Sequence, residues 1–440
     1  MVTERLQRIL GLGFGLAVII GSTLGIGILR TPGLVAAELP TAAAILSVWI
    51  AGGLYTLLGS ICLTELGTMV PEAGGYYAYA RRAFGAHAGF AVGWTDWLTY
   101  CAVLGYISIG LAEFVGVLAP PAARFVTAIA ILSLLAFVAL QWSGVRISSR
   151  FQEIATAVKF GAFLALVLAC LAFAGRAAGS RLLTDNLPAT FAGVIVALQS
   201  VVITYGGWQS ALYFTEEDRN PDRNLPRAMI GGVAAVIAVY LLVNIALLRV
   251  LSIATLARST LAAADAAHVV FGDRGLQIIT ILSLISLAPL LNAIMMIGTR
   301  ILFAMGRDRM LPAAAARVNA GGTPTVATLV TTGVAIALIA TGTFRKLVAV
   351  ASFFLAANYL VCCVALVALR RREPNASRPF RAWGYPWSAA IVVAGAAAFL
   401  IGALVADTAN AVIALGLVAA GLAGRFAFGG RVRRAPAELP

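Results

Sequence analysis

Gly21-Ser22-Thr23-Leu24-Gly25-Ile26-Gly27 sits in the middle of the first long apolar run of the chain, residues 11–37. Each glycine inside a helix costs about 1 kcal/mol relative to alanine, so this cluster marks a place where a helix can unwind. A second stretch, Thr204-Tyr205-Gly206-Gly207-Trp208, interrupts the sixth apolar run, residues 188–215. Backbone unwound inside a membrane must be satisfied by protein or by a polar cavity, because lipid offers no partner. One such cluster reads equally well as close helix packing through small residues. Two clusters in corresponding runs favour unwinding.

The surrounding sequence supplies the membrane setting. Of 440 residues, 61% are hydrophobic and 11% charged, against about 25% charged in soluble domains. A span takes about 20 apolar residues. Such runs occur at 11–37, 42–69, 87–118, 123–141, 153–175, 188–215, 225–250, 276–305, 325–342, 346–369, 387–405 and 409–427. The last two are one stretch divided by a hinge at 407–410. The runs are continuous rather than alternating, which excludes a β-barrel. The first has no small-residue cleavage site behind it and reads as a retained helix. The connection 251–274 is Ala-rich, carries Arg258, Asp265 and His268, and is expected to be a surface helix along the membrane. The predicted fold is an all-α integral membrane protein of twelve helices in one domain, 1–440. It has a first five-helix repeat at about 11–175 and a second at about 188–369. Two further helices follow at about 387–427, then a basic tail, 428–440. Breaks in helices 1 and 6 match inverted-repeat transporters, which bind substrate at the membrane midplane.

The formal charge is +14. The basic residues lie in short loops, where they set topology rather than hold nucleic acid. With the N-terminus inside, inward segments carry 22 of the 32 basic residues and outward segments nine, with Lys159 left within a helix. This bias predicts both termini in the cytoplasm and a place in the cytoplasmic membrane. Cys62, Cys101, Cys170, Cys362 and Cys363 fall inside apolar runs, and His87 and His268 are far apart, so no metal site is expected. No glycine-rich stretch carries a P-loop lysine in a strand–turn–helix context. No cofactor, no ATP hydrolysis and no obligatory protein partner are expected; the partners are a small-molecule substrate and the bilayer.

Four motifs bring a resemblance into view. GSTLGIGILRTP at 21–32 resembles the first-helix signature of the amino acid–polyamine–organocation (APC) transporters. PEAGGYYAYARRAFG at 71–85 is similar to their second-helix end and following loop. YGGWQSALYFTEEDRNPDRNLPRA at 205–228 resembles the sixth helix and loop of the L-type amino acid transporter branch, particularly its bacterial relatives. NAIMMIGTRILFAMGRDRMLP at 292–312 resembles their eighth helix. The resemblance implies secondary transport of neutral L-amino acids by alternating access. Cationic amino acids or polyamines on the same fold, or a non-transporting amino acid sensor, remain the alternatives.

A zwitterion entering a membrane interior needs a partner for each charge. A broken helix offers N–H groups at one new end and C=O groups at the other. Amides around Ser22, Thr23, Gly25, Ile26 and Gly27 are candidates for the carboxylate. Carbonyls near Ile20, Gly21, Ile203, Thr204 and Gly206 are candidates for the ammonium, and the resemblance implies the same arrangement. Gly207 belongs to the second break. The hydroxyls of Ser22 and Thr23 either assist or bond a carbonyl one turn back. Tyr205 and Trp208 either cover the substrate or pack in the bundle. Relatives of the L-type branch usually place a gating aromatic two residues before the tyrosine; Ile203 stands there and argues against a simple aromatic lid. Asn292 matches a family position near the substrate side chain, and it reads as a pocket residue or a helix–helix bond. Glu65, Arg81, Glu216, Arg223 and Arg300 are candidates for an ion-paired gate at the cytoplasmic end. Lys159 is costly inside a membrane unless it snorkels or finds acceptors. It is expected about 9 Å into the fifth helix, either bracing the first break in place of the sodium ion used by related folds or carrying a proton. The resemblance places a lysine at this position.

Overall fold

Continuous apolar runs satisfy their own backbone inside lipid only as helices, and the computed structural model is built of them. It describes residues 5–173, 190–341, 344–406 and 408–432. The first run forms α1 (Leu12–Thr23) and α2 (Gly27–Glu38), bent by 46° across residues 24–26. Then come α3 (Ala42–Met69), the short α4 (Tyr76–Phe84), α5 (Ala86–Leu118), α6 (Val126–Trp142) and α7 (Val145–Phe173). The sixth run forms α8 (Phe191–Thr204) and, past its glycines, a 3₁₀ segment, Trp208–Glu217. The remainder is α9 (Pro221–Val250), α10 (Ile253–Arg258), α11 (Ala262–Phe271), α12 (Gly275–Arg307), α13 (Thr325–Ala340), α14 (Phe344–Arg372), α15 (Trp387–Ala406) and α16 (Thr408–Val432).

Among the described residues nine helical stretches are long and apolar enough to cross a membrane, ten when α1 and α2 form one bent span. The expected ninth and twelfth spans are shorter apolar helices, Thr325–Ala340 and Thr408–Ala423. The expected hinge at Asp407, the helix ends at 174–175, 188–189 and 342, and the tail beyond 432 lie outside the described residues.

Two expectations are corrected. The fifth helix begins at Val145 rather than near 153. Its first turns are polar, so hydropathy misses them, yet Ser148 and Gln152 are buried against neighbouring helices. Lys159 therefore lies about 21 Å along its helix at 1.5 Å per residue. The connection 251–274 is two helices packed on protein rather than one. Leu256, Ala262, Ala263, Ala266 and Ala267 are fully buried, with α10 seated on α2 and α11 on α2 and α12.

The centre of the bundle is α1, the 3₁₀ segment, α9 and α12, flanked by α3, α5 and α7. Leu132, Leu168, Ile401, Val405 and Val412 are exposed and face outward. In a membrane protein those surfaces meet lipid rather than water.

Candidate functional site

The two breaks meet. A Cβ built on Gly207 would stand 2.5 Å from the Ser22 carbonyl oxygen, and one on Gly27 would stand 3.2 Å from the Thr204 side chain. Gly207 has φ +114°, a conformation that favours glycine. The residue type is thus required twice, by its backbone and by its neighbour. Across the same seam the hydroxyls of Thr31 and Thr204 lie 2.7 Å apart.

The carbonyls released by unwinding are held by side chains. Lys159, fully buried, donates to Gly21 O at 2.9 Å and to Ser286 O at 3.0 Å. Ser286 lies in the turn before Pro289, where the missing proline N–H disturbs the ladder of α12. The Tyr240 hydroxyl of α9 lies 2.6 Å from Thr23 O and 3.0 Å from Thr204 O. It has one proton to donate, so it serves one half-helix end at a time. One turn earlier in α1, Ala17 O accepts from Thr156 Oγ1 at 3.0 Å and Gln152 Nε2 at 3.4 Å.

The donors at the break are less committed. The first amides of α2, at Gly27 and Ile28, have no intrahelical carbonyl to reach, and only Leu29 N turns back, to Ile26 O at 3.0 Å. Ser22 Oγ is buried without a partner. A Cβ on Gly25 would meet nothing nearer than 3.9 Å, so the space beside this backbone is open. A carboxylate fits this set of donors.

Several sequence candidates take structural places instead. Thr23 Oγ1 bonds Ile19 O at 2.8 Å, one turn back. Gly21 O is taken by Lys159, and Ile203 O accepts the Gly206 N–H at 2.9 Å. The side chain of Ile203 is 56% exposed on the outer surface, so it neither forms nor replaces a lid. Tyr205 is buried, donates to Trp49 O at 3.2 Å and packs on Trp49 and Tyr240. Trp208 packs edge-on to Tyr359 with ring centroids 5.8 Å apart. Asn292 is a helix–helix tie rather than a pocket residue. Its amide nitrogen donates to Gln152 Oε1 at 2.9 Å, and its oxygen accepts from Gln141 Nε2 at 2.7 Å. Ile20 is half-buried against the aliphatic core around α2 and α3.

The arginine-rich end is closed by ion pairs. Arg300 and Glu217, both fully buried, form two hydrogen bonds at 2.9 and 3.1 Å. Arg307 bonds Glu216 at 2.6 Å, and Glu216 also accepts the Ala73 N–H. Arg81 bridges Glu72 at 2.8 Å and Asp308, which also accepts from Tyr77 at 2.8 Å. The expected gate members Arg81, Glu216 and Arg300 thus each form an ion pair at this end, with Asp308, Arg307 and Glu217 among their partners. Glu65 is separate: it accepts from Arg370 and the Ala382 N–H and lies in an ion pair with Arg378, tying α3 to α14 and the following loop. Arg223 is exposed and lies outside these pairs among the described residues. In the loop after α14, the Arg82 guanidinium holds the Glu373 carboxyl below its usual range.

Sequence reading missed Tyr240, Gln152 and Asp96. Each is a polar side chain in an otherwise apolar or helical stretch, and that interruption was the available signal.

Residues 15–422 match the amino acid permease family. The serine/threonine exchanger SteT of Bacillus subtilis (strain 168) is 27% identical over 95% of this chain and 96% of its own length. The b(0,+)-type amino acid transporter 1 of Mus musculus is 28% identical over 86% of this chain and 79% of its own. The Asc-type amino acid transporter 1 of the same species is 29% identical over 86% and 73%.

Proposed function

The chain belongs to the amino acid permease family, and we propose on that premise that it is a secondary transporter of neutral L-amino acids, sodium-independent and working by alternating access in the cytoplasmic membrane. The observation that carries the reading is the meeting of two helix breaks whose carbonyls are held, with the first amides of α2 left uncommitted beside them. Tyr240 and Lys159 occupy the carbonyl side, and the amides of α2 with Ser22 offer the carboxylate site. Lys159 acts as the brace: a fixed ammonium ties α1 to α12 where related folds use sodium. The Arg300–Glu217 and Arg307–Glu216 pairs close the inner gate and must part for release. The Bacillus relative is named as an exchanger of serine and threonine, which supports exchange as one mode of operation.

Radiolabelled uptake into proteoliposomes tests this, in sodium and in choline buffers. Uptake is expected to be equal in both and inhibited by Leu, Ala, Ser or Thr more than by Arg or Glu. Strict sodium dependence, or preferential inhibition by Arg, would overturn it.

A further inference from the structure

Asp96 lies within α5 in the stretch Trp94-Thr95-Asp96-Trp97, fully buried. One carboxylate oxygen accepts the Tyr213 hydroxyl at 2.8 Å, and the other has no donor. Among the described residues no cation pairs with it. The groups around it come from every side. Tyr100 is on its own helix, Tyr76 on α4, Tyr213 on the 3₁₀ segment, and Asn358 and Cys362 on α14. Of the described cations on the elements packed on α5, Arg81 and Arg82 of α4 hold Glu72, Asp308 and Glu373, Arg370 and Arg372 of α14 hold Glu65 and the Ala83 carbonyl, and Arg371 is exposed at the end of α14. Arg300 and Arg307 of α12 hold Glu217 and Glu216, and Arg425 of α16 donates to Ala86 O at the start of α5. Arg124, before α6, lies over the Phe125 ring. On α13 and α6, Thr331 accepts from Trp97, and Gln141 donates to Asn292 while its own Oε1 is buried without a partner.

An ionised carboxylate without a cation is costly in such a place, whereas the neutral acid is not. Hydrogen-bonding capacity lies beside it unused: Tyr100 Oη and Asn358 Nδ2 are both buried without partners. The site also has a connection to the second break. Tyr100 and Tyr213 are 5.5 Å apart at their ring centroids, Tyr100 lies beside Gln209, and Gln209 Oε1 accepts the Gly207 N–H at 3.1 Å.

We propose that Asp96 is a proton-binding site coupled to transport, linked to the second helix break through Tyr213, Tyr100 and Gln209. The inference rests on the transport reading and adds a coupling ion to it. In the closed form described here the carboxyl holds its proton. When the 3₁₀ segment swings and water reaches α5, the proton leaves to water, and the hydroxyl of Tyr213 and the amide of Asn358 solvate the carboxylate. Substrate between the two breaks and proton at Asp96 thereby bias one moving element. Lys159 is not needed as the carrier, because its ammonium is already committed to two carbonyls.

The test uses purified full-length protein in proteoliposomes loaded with a pH-sensitive dye. An inward gradient of one pH unit should drive about tenfold accumulation at one proton per substrate, with the lumen acidifying as amino acid enters. Asp96→Asn should keep substrate-for-substrate counterflow while losing both accumulation and acidification. Tyr213→Phe should keep uptake and shift the pH of its half-maximum. Parent-like accumulation in Asp96→Asn overturns the proposal, as does net uptake by the parent that moves no proton and ignores a pH gradient; the transport reading survives either result. Absence of all uptake by the parent overturns both. If Asp96→Asn does not fold, proton movement by the parent and the Tyr213→Phe profile decide.

Discussion

Two glycines of the breaks look alike in sequence and differ in structure. A Cβ on Gly25 has no neighbour closer than 3.9 Å, while one on Gly207 meets the Ser22 carbonyl at 2.5 Å and needs φ +114°. Gly25→Val should therefore fold normally and lose substrate affinity by tenfold or more, about 1.4 kcal/mol, because the side chain fills space that the carboxylate needs. Gly207→Val should fail earlier, with a lowered melting temperature and little protein in the membrane. Binding and thermal denaturation of the two purified variants separate these outcomes, and normal affinity in Gly25→Val would contradict the site. Lys159→Ala strands two buried carbonyls, at about 1–3 kcal/mol each when unsatisfied, less whatever relaxation recovers. The variant should reach the membrane with a lower melting temperature and transport poorly in sodium and choline alike; full uptake would remove the brace.

At the scale of helices, the arginine-rich end combines pairs of very unequal weight. Arg300–Glu217 is wholly buried, and deleting one partner of such a pair costs about 3–5 kcal/mol because the other charge is left behind. Arg82–Glu373 is partly solvated, where a pair is worth about 0–1 kcal/mol. Arg300→Met should thus depress the melting temperature strongly, Arg300→Met with Glu217→Gln should recover part of the loss, and Arg82→Met should change little. Equal effects of the two single substitutions would show that burial does not set their weight. The same elements show what was legible in sequence. Helix existence and the two breaks follow from hydropathy and glycine, because membrane burial makes composition decisive. Partner choice does not follow. Glu65 meets Arg370 from a helix three hundred residues away in sequence, and Asn292 turns to Gln152 and Gln141. Those pairings are set by packing that no local pattern records. The start of α7 was hidden for a related reason: its serines and glutamine are buried polar residues, which a hydropathy window counts as outside.

At the scale of the whole molecule, the arrangement in the membrane follows from one long element. The 33 residues of α12 span about 50 Å at 1.5 Å per residue, more than the roughly 30 Å hydrocarbon layer. Arg258, at the end of α10, precedes this helix across α11, and Arg309 follows it directly. Both are exposed. We propose that the pair marks opposite faces of the bundle, with Arg309 in the cytoplasm as the loop arginine bias predicts. Cysteine scanning is well suited to this chain, because its five native cysteines are all buried and give little background. A membrane-impermeant maleimide added to intact cells should label Arg258→Cys and leave Arg309→Cys unlabelled until the membrane is opened. Labelling of both from one side would break the span assignment of α12. Labelling of Arg309→Cys alone would invert the molecule, placing the Arg300–Glu217 pair at the outer mouth and making it an outer gate.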